Sequence, residues 1–158
     1  DGVTEGAILE LGSYVGYTSR FFSYLFRSVI AMDIIPSFLQ LNNRLNHDRG
    51  NVMTLHMSPG DAQADYYLYT GIAHNGITAA YVDASHDFGS VFHDLACIAT
   101  YLPSVVLIIL DDYGTEEGVR RAVDFFDEHG VIQPMMNLGL QPPWQLSDGR
   151  LSKNDDLR

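Results

Sequence analysis

The sequence predicts an α/β fold, a doubly wound and mostly parallel sheet of about seven strands with helices on both faces. Three observations carry this reading. Short apolar runs alternate with segments of helical spacing along most of the 158 residues. Several runs, above all Val105–Leu110 in "VVLIILDDYG", are unbroken by polar residues, the pattern of strands buried on both faces. The polar residues collect just after the runs, at the rim where ligands bind in such sheets.

The elements follow in order. "AILEL" (7–11) is the first buried strand, "GSYVG" a glycine-bearing turn, and "YTSRFFSYLF" (17–26) a helix. "SVIAMDI" (28–34) is the second strand. "PSFLQLNNRLN" (36–46) has helical spacing at Phe38, Leu41 and Leu45, with proline in its first turn. "NVMTLHM" (51–57) is a third strand, more polar and so placed nearer an edge. "AQADYYLYTGIA" (62–73) is a helix and "ITAAYVDAS" (77–85) the fourth strand. "FGSVFHDLACIATYL" (88–102) is a helix with Val91, Leu95 and Ile98 on one face. "VVLIIL" (105–110) is the fifth strand, and "EGVRRAVDFFDEHG" (117–130) a helix stopped by Gly130. "VIQPMM" (131–136) and "WQL" (144–146) read as two short closing strands, and the polar tail "SDGRLSKNDDLR" as a frayed end. Strands one, four and five, with the most continuous apolar runs, are expected at the centre. No repeat or linker interrupts the chain, so one domain over 1–158 is the reading.

Composition narrows the function. With 46% hydrophobic and 18% charged residues the chain can bury a core and does not read as disordered. Nine basic residues against 20 acidic give a net charge of −11, a field that opposes a nucleic-acid backbone or an anionic membrane. A small ligand or a cation meets no such barrier. The single cysteine, Cys97 in "LACIAT", is expected as a buried thiol. No segment reaches membrane-spanning length, and "DGVTEGAILELG" lacks the basic and apolar regions of a signal peptide, so the expected location is cytoplasmic.

The strand ends gather Glu10, Gly12 and Gly16; Asp33; Gly60 and Asp61; Asp83, Ser85 and His86; and Asp111 and Asp112. Glycines 12 and 16 alone read as a strand-to-helix turn. Their G-x-x-x-G spacing departs from the dinucleotide fingerprint, and Glu10 beside them favours an amino-bearing or cationic ligand over a pyrophosphate. Asp33 lies roughly twenty residues beyond the first glycine, the offset of a carboxylate that accepts ribose hydroxyls. Adjacent carboxylates at 111 and 112 repel and need a cation, a donor or water, unless they simply cap a turn.

"ELGSYVGYTS" followed by "AMDII", "GDA", "YVDASHDF" and "LDDYG" resembles the class I S-adenosylmethionine-dependent methyltransferases, which have a Rossmann-like fold. Within them the likeness is to the metal-dependent small-molecule O-methyltransferases of the catechol, caffeoyl-CoA and antibiotic-sugar types. It runs from about Ala7 to Phe126. The resemblance implies that Glu10, Gly12, Ser13, Tyr14, Gly16 and Thr18 surround the methionine part of the cofactor. It implies Asp33, with Ile34, at the ribose, and Gly60, Asp61 and Ala62 at the adenine. Asp83, Asp111 and Asp112 would hold a divalent ion, Mg²⁺ by donor type, with Asp83 also beside the cofactor. His86 would be the base that takes the acceptor's proton. The implied function is metal-assisted O-methylation of a small-molecule hydroxyl. Relatives carry N-terminal helices over the site that are not expected here, so a homodimer partner could supply the cover. Two other readings share these residues: a catalytically silent cofactor-binding or interaction domain, and a metal-independent methyltransferase. His47, His56, His74, His93 and His129 are given no role.

Overall fold

The computed structural model describes residues 2–57 and 62–135. Compactness divides the chain into two units, Asp1–Ala84 with Asp94–Leu110, and Ser85–His93 with Asp111–Arg158. The first holds a five-stranded sheet in which every pairing is parallel. Its strands are β1 (Ala7–Leu11), β2 (Ser28–Asp33), β3 (Val52–His56), β4 (Ile77–Val82) and β5 (Leu107–Leu110). Their order is β3-β2-β1-β4-β5. The helices are α1 (Tyr17–Phe22), α2 (Pro36–Leu45), α3 (Ala62–Ala73), α4 (Phe88–Tyr101) and α5 (Glu117–Glu128).

Strand β1 is buried along its whole length. Side chains alternate across a strand, so β1 feeds two cores. Leu9 and Leu11 pack with Ile30, Met32, Tyr69 and Ile98, which brings α3 and α4 onto one face. Ile8 packs with Val29, Ala31, Phe22 and Phe26, which puts α1 on the other. The expected helices on both faces are therefore present in this unit. Cys97 is buried, as its apolar setting suggested, and burial pushes its thiol up to about 11, with Asp65 and Asp94 adding to the effect.

Four sequence expectations are corrected. The sheet has five strands among the described residues rather than about seven. Residues 131–135 of "VIQPMM" form no strand, and Pro134 has no N–H to give a ladder; Met136 and "WQL" lie outside the described residues. Strand β5 is an edge strand of this sheet, not a central one. Its apolar run satisfied the pattern for burial on both faces, yet its residues are only half-buried and Val106 is 70% exposed. Lastly, the buried side of α2 is not that of Phe38, Leu41 and Leu45. Its buried residues are Leu39 and Asn42, continued by Asn46, while Phe38 and Leu45 are half-buried and Leu41 faces water.

In the second unit, α5 buries Val119, Ala122, Val123 and Phe126. Phe92 meets Phe125 and Phe126 at ring-centroid distances of 5.2 and 5.1 Å. Gly118 lets α5 approach the loop before α4: a Cβ there would stand 2.2 Å from the His86 carbonyl oxygen. Gly130, in the left-handed region at φ +67°, ends α5 as expected. No helix among the described residues is long and apolar enough to cross a membrane.

Candidate functional site

The first unit builds its site on the turn between β1 and α1. Gly12 has φ +85° and Gly16 φ +92°, conformations that a side chain rarely adopts. Space enforces the choice as well. A Cβ on Gly12 would lie 2.1 Å from the Asp83 carbonyl oxygen, so this turn is pressed against the end of β4. On the other side, the amides of Gly12 and Ser13 both donate to the Met32 carbonyl, at 3.0 and 2.9 Å. Ser13 is buried, and its Oγ has no partner among the described residues.

Asp33, at the end of β2, is buried and already at work. Its Oδ2 accepts the Tyr14 amide at 2.9 Å and its Oδ1 accepts the Ile35 amide at 2.8 Å. It thus clamps the glycine turn from the side and holds Tyr14 at φ +44°. Each carboxylate oxygen retains a second lone pair. The exposed Tyr14 ring rests edge-on against Phe38, centroids 4.5 Å apart. Ile34 is exposed and Thr18 half-buried; Ala62 is exposed at the start of α3. Gly60 and Asp61 lie outside the described residues.

Glu10 is fully buried in the middle of the sheet, in register with Ala31 on one side and Tyr81 on the other. Its Oε2 accepts the Ser19 hydroxyl, while Oε1 has no partner among the described residues. Burial pushes its carboxyl up to about 8, Ser19 opposes that shift, and the charges of Asp83 and Asp33 add to it. Asp83 is half-buried, its amide donates to Leu11 at 2.9 Å, and it accepts the Tyr81 hydroxyl at 3.2 Å. The first unit therefore brings Glu10, Gly12, Asp33 and Asp83 to one rim, as the strand ends required.

Sequence reasoning missed the residues behind Glu10. Asn42 donates to Ser19 Oγ at 2.8 Å, and Asn46 donates to Asn42 Oδ1 at 2.8 Å and to the Gly16 carbonyl at 3.0 Å. A signal existed: residues 39, 42 and 46 share a helical stripe, and two of them are polar.

In the second unit His86 Nε2 lies 3.2 Å from Asp112 Oδ2. Asp112 is itself fixed in the left-handed region at φ +58°. Its Oδ1 accepts the Thr115 hydroxyl at 2.8 Å, its carbonyl accepts the amides of Thr115 and Glu116, and its own amide donates to Asp111 Oδ1 at 2.9 Å. The pair "DD" thus forms the turn that its residue types suggested, and Asp112 also faces His86. Asp87 caps α4 through the Ser90 amide at 3.0 Å and accepts Ser85 Oγ at 2.7 Å. Those bonds hold its carboxyl down, to about 2.

A family model described as a methyltransferase domain matches residues 9–113. The fold is similar to solved methyltransferase structures. Precorrin-6y C5,15-methyltransferase from Geobacter metallireducens is 17% identical with a TM-score of 0.61, over 80% of this chain and 63% of that one. Fibrillarin from Aeropyrum pernix, solved with natively bound S-adenosyl-L-methionine, is 15% identical with a TM-score of 0.55, over 95% and 66%. Phosphoethanolamine N-methyltransferase 1 from Haemonchus contortus, solved with phosphoethanolamine and S-adenosylhomocysteine, is 15% identical with a TM-score of 0.51, over 72% and 23%. At such identities the likeness is one of fold, and this chain spans less than two thirds of the length of each. Among curated protein sequences there is no match.

Proposed function

This chain belongs to the methyltransferase domain family, and from that premise we propose that it binds S-adenosylmethionine at the β1–α1 rim and transfers its methyl group to a small-molecule hydroxyl. The observation that carries the reading is Glu10: a buried carboxyl group, one oxygen of which has no partner among the described residues, beside a turn built on two glycines at positive φ. A buried acceptor without a partner is costly. A ligand bearing an ammonium group favours the ionised form of Glu10 and relieves that cost, and the cofactor's amino-acid end carries one. Ser13 Oγ, also buried and with no partner among the described residues, adds a second polar atom suited to the same end.

Each residue then has a task. Asp33 accepts the ribose hydroxyls with the lone pairs that the Tyr14 and Ile35 amides leave over. Gly12 and Gly16 give the turn its shape, the first against the end of β4 and the second against the Asn42 and Asn46 amides. When bound, the cofactor supplies a methyl group on a positively charged sulfur. His86 takes the acceptor's proton, with Asp112 holding the ring. A divalent ion on Asp83, Asp111 and Asp112 is the finer part of the proposal. It is supported by the likeness of "YVDASHDF" and "LDDYG" to the metal-dependent enzymes and by an all-carboxylate donor set, which suits Mg²⁺. Such an ion makes a hydroxyl more acidic when it is bound.

A methyl-transfer assay on catechols and sugar hydroxyls, with Mg²⁺ and with chelator, tests this reading. Transfer that chelator abolishes is expected. Chelator-insensitive transfer would remove the ion and keep the methyltransferase. Cofactor binding without transfer to any acceptor would favour a silent binding domain. In the same assay, His86→Ala should lower turnover by about 10²-fold or more, the usual scale for a general base, and leave cofactor affinity unchanged.

A further inference from the structure

Behind Glu10 lies a polar chain that the proposed chemistry does not use. Ser19, Asn42 and Asn46 are buried, on α1, on α2 and just past the end of α2. Positions so buried between helix and sheet are usually apolar, and polar groups there are held by hydrogen bonds, so their bonding directions are informative. Asn46 Nδ2 faces three oxygens: the Gly16 carbonyl at 3.0 Å, the Asn42 carbonyl at 3.2 Å and Asn42 Oδ1 at 2.8 Å. Only the amide nitrogen can stand there, because an oxygen would face the two backbone carbonyls. This fixes Asn42 with its Oδ1 toward Asn46 and its Nδ2 toward Ser19 Oγ, at 2.8 Å. Ser19 receives that donor and gives its own hydrogen to Glu10 Oε2. Every bond in the chain points the same way, toward the carboxylate, and aligned bonds polarise one another.

The chain is also closed sterically. A Cβ on Gly16 would stand 2.4 Å from Asn42 Cγ and 2.7 Å from Asn46 Nδ2, so the same glycine that makes the turn makes room for the two amides. Glu10 is thereby gripped at one carboxyl oxygen, and the other has no partner among the described residues.

We propose that Ser19, Asn42 and Asn46 are positioning residues that hold Glu10 with Oε1 presented to the amino-acid end of S-adenosylmethionine, and so set the preference for ligands that carry that end over the bare nucleoside. The inference rests on the cofactor reading above. None of the three residues needs to touch the ligand. Ser19 acts on Glu10 Oε2, Asn42 sets the direction of the Ser19 hydroxyl, and Asn46 sets the orientation of Asn42.

Two probes separate this role from a merely structural one. S-adenosylhomocysteine carries the amino-acid end; 5′-methylthioadenosine has the same nucleoside and a neutral sulfur but lacks that end. Calorimetric titration of both into the wild-type chain, Ser19→Ala and Asn42→Leu reads the ratio of affinities. Ser19→Ala is expected to weaken S-adenosylhomocysteine about tenfold, the scale of one hydrogen bond to a charged group, with methylthioadenosine changed by less than about twofold. Asn42→Leu, close in volume, should shift the ratio in the same direction. In a Glu10→Gln background, Ser19→Ala should leave the ratio where Glu10→Gln alone puts it. Equal weakening of both probes, or an unchanged ratio in a variant with wild-type circular dichroism, would overturn the proposal and leave the cofactor reading intact. Failure of the wild-type chain to bind either probe would overturn both.

Discussion

Glu10 places an ionisable group at a fully buried position of the first unit. Because its carboxyl is raised from 4.5 to about 8, the folded chain keeps a proton there that the unfolded chain releases between those values. Stability contributed by this site is therefore highest at low pH and falls as pH rises through that window, levelling off above it. Glu10→Gln carries no such proton. Its stability relative to the wild type should improve steadily from about pH 5 to pH 8, by an amount on the order of a few kcal/mol at the upper end. Urea denaturation at several pH values measures this. A constant difference across the range would mean that Glu10 is ionised throughout. Gly12 makes a second residue-scale case. Gly12→Ala combines a positive φ with a Cβ 2.1 Å from the Asp83 carbonyl, so it should destabilise by more than the roughly 1 kcal/mol that a compatible site would gain. A loss in urea midpoint together with cofactor affinity is expected. A neutral result would show that the turn does not press on β4.

At the scale of elements, α2 tests where the packing surface lies. Leu39 is 8% exposed and Leu41 42%. Leu39→Ala should cost about 2–5 kcal/mol, as buried leucines do, and Leu41→Ala within about 0.5 kcal/mol of zero, as at the surface. The reverse order, measured by denaturant unfolding, would restore the face marked by Phe38, Leu41 and Leu45. That face was the one legible in the sequence, because a count of apolar residues cannot see that two asparagines are buried. They became core residues only through bonds to Ser19 and to the glycine turn, partners distant in the chain. The alternation of strands and helices was legible for a simpler reason: it is local, and the apolar periods of β1, β2, β4 and α4 state it directly. The place of β5 was not. Sheet order depends on which way each crossover returns, and an apolar run at 105–110 carries no such information.

For the whole molecule, the rim was legible because parallel strands all end on one side, and the residues after β1, β2 and β4 therefore had to meet. Glu10, Asp33 and Asp83 do lie within electrostatic reach of one another. The clamp that Asp33 places on Tyr14 and Ile35 was not legible, since backbone amides leave no mark in a sequence. This double duty makes Asp33 the most direct probe of the central claim, that the β1–α1 rim is a cofactor site. The measurement is a calorimetric titration of S-adenosylmethionine into the wild-type chain and into Asp33→Ala, with circular dichroism to establish that the variant is folded. The account predicts a saturable one-site isotherm for the wild type and a loss of about 1–3 kcal/mol of binding free energy in the variant, the scale for hydrogen bonds to a charged group. No saturable binding by the wild type, or equal affinity in a folded Asp33→Ala, would contradict it.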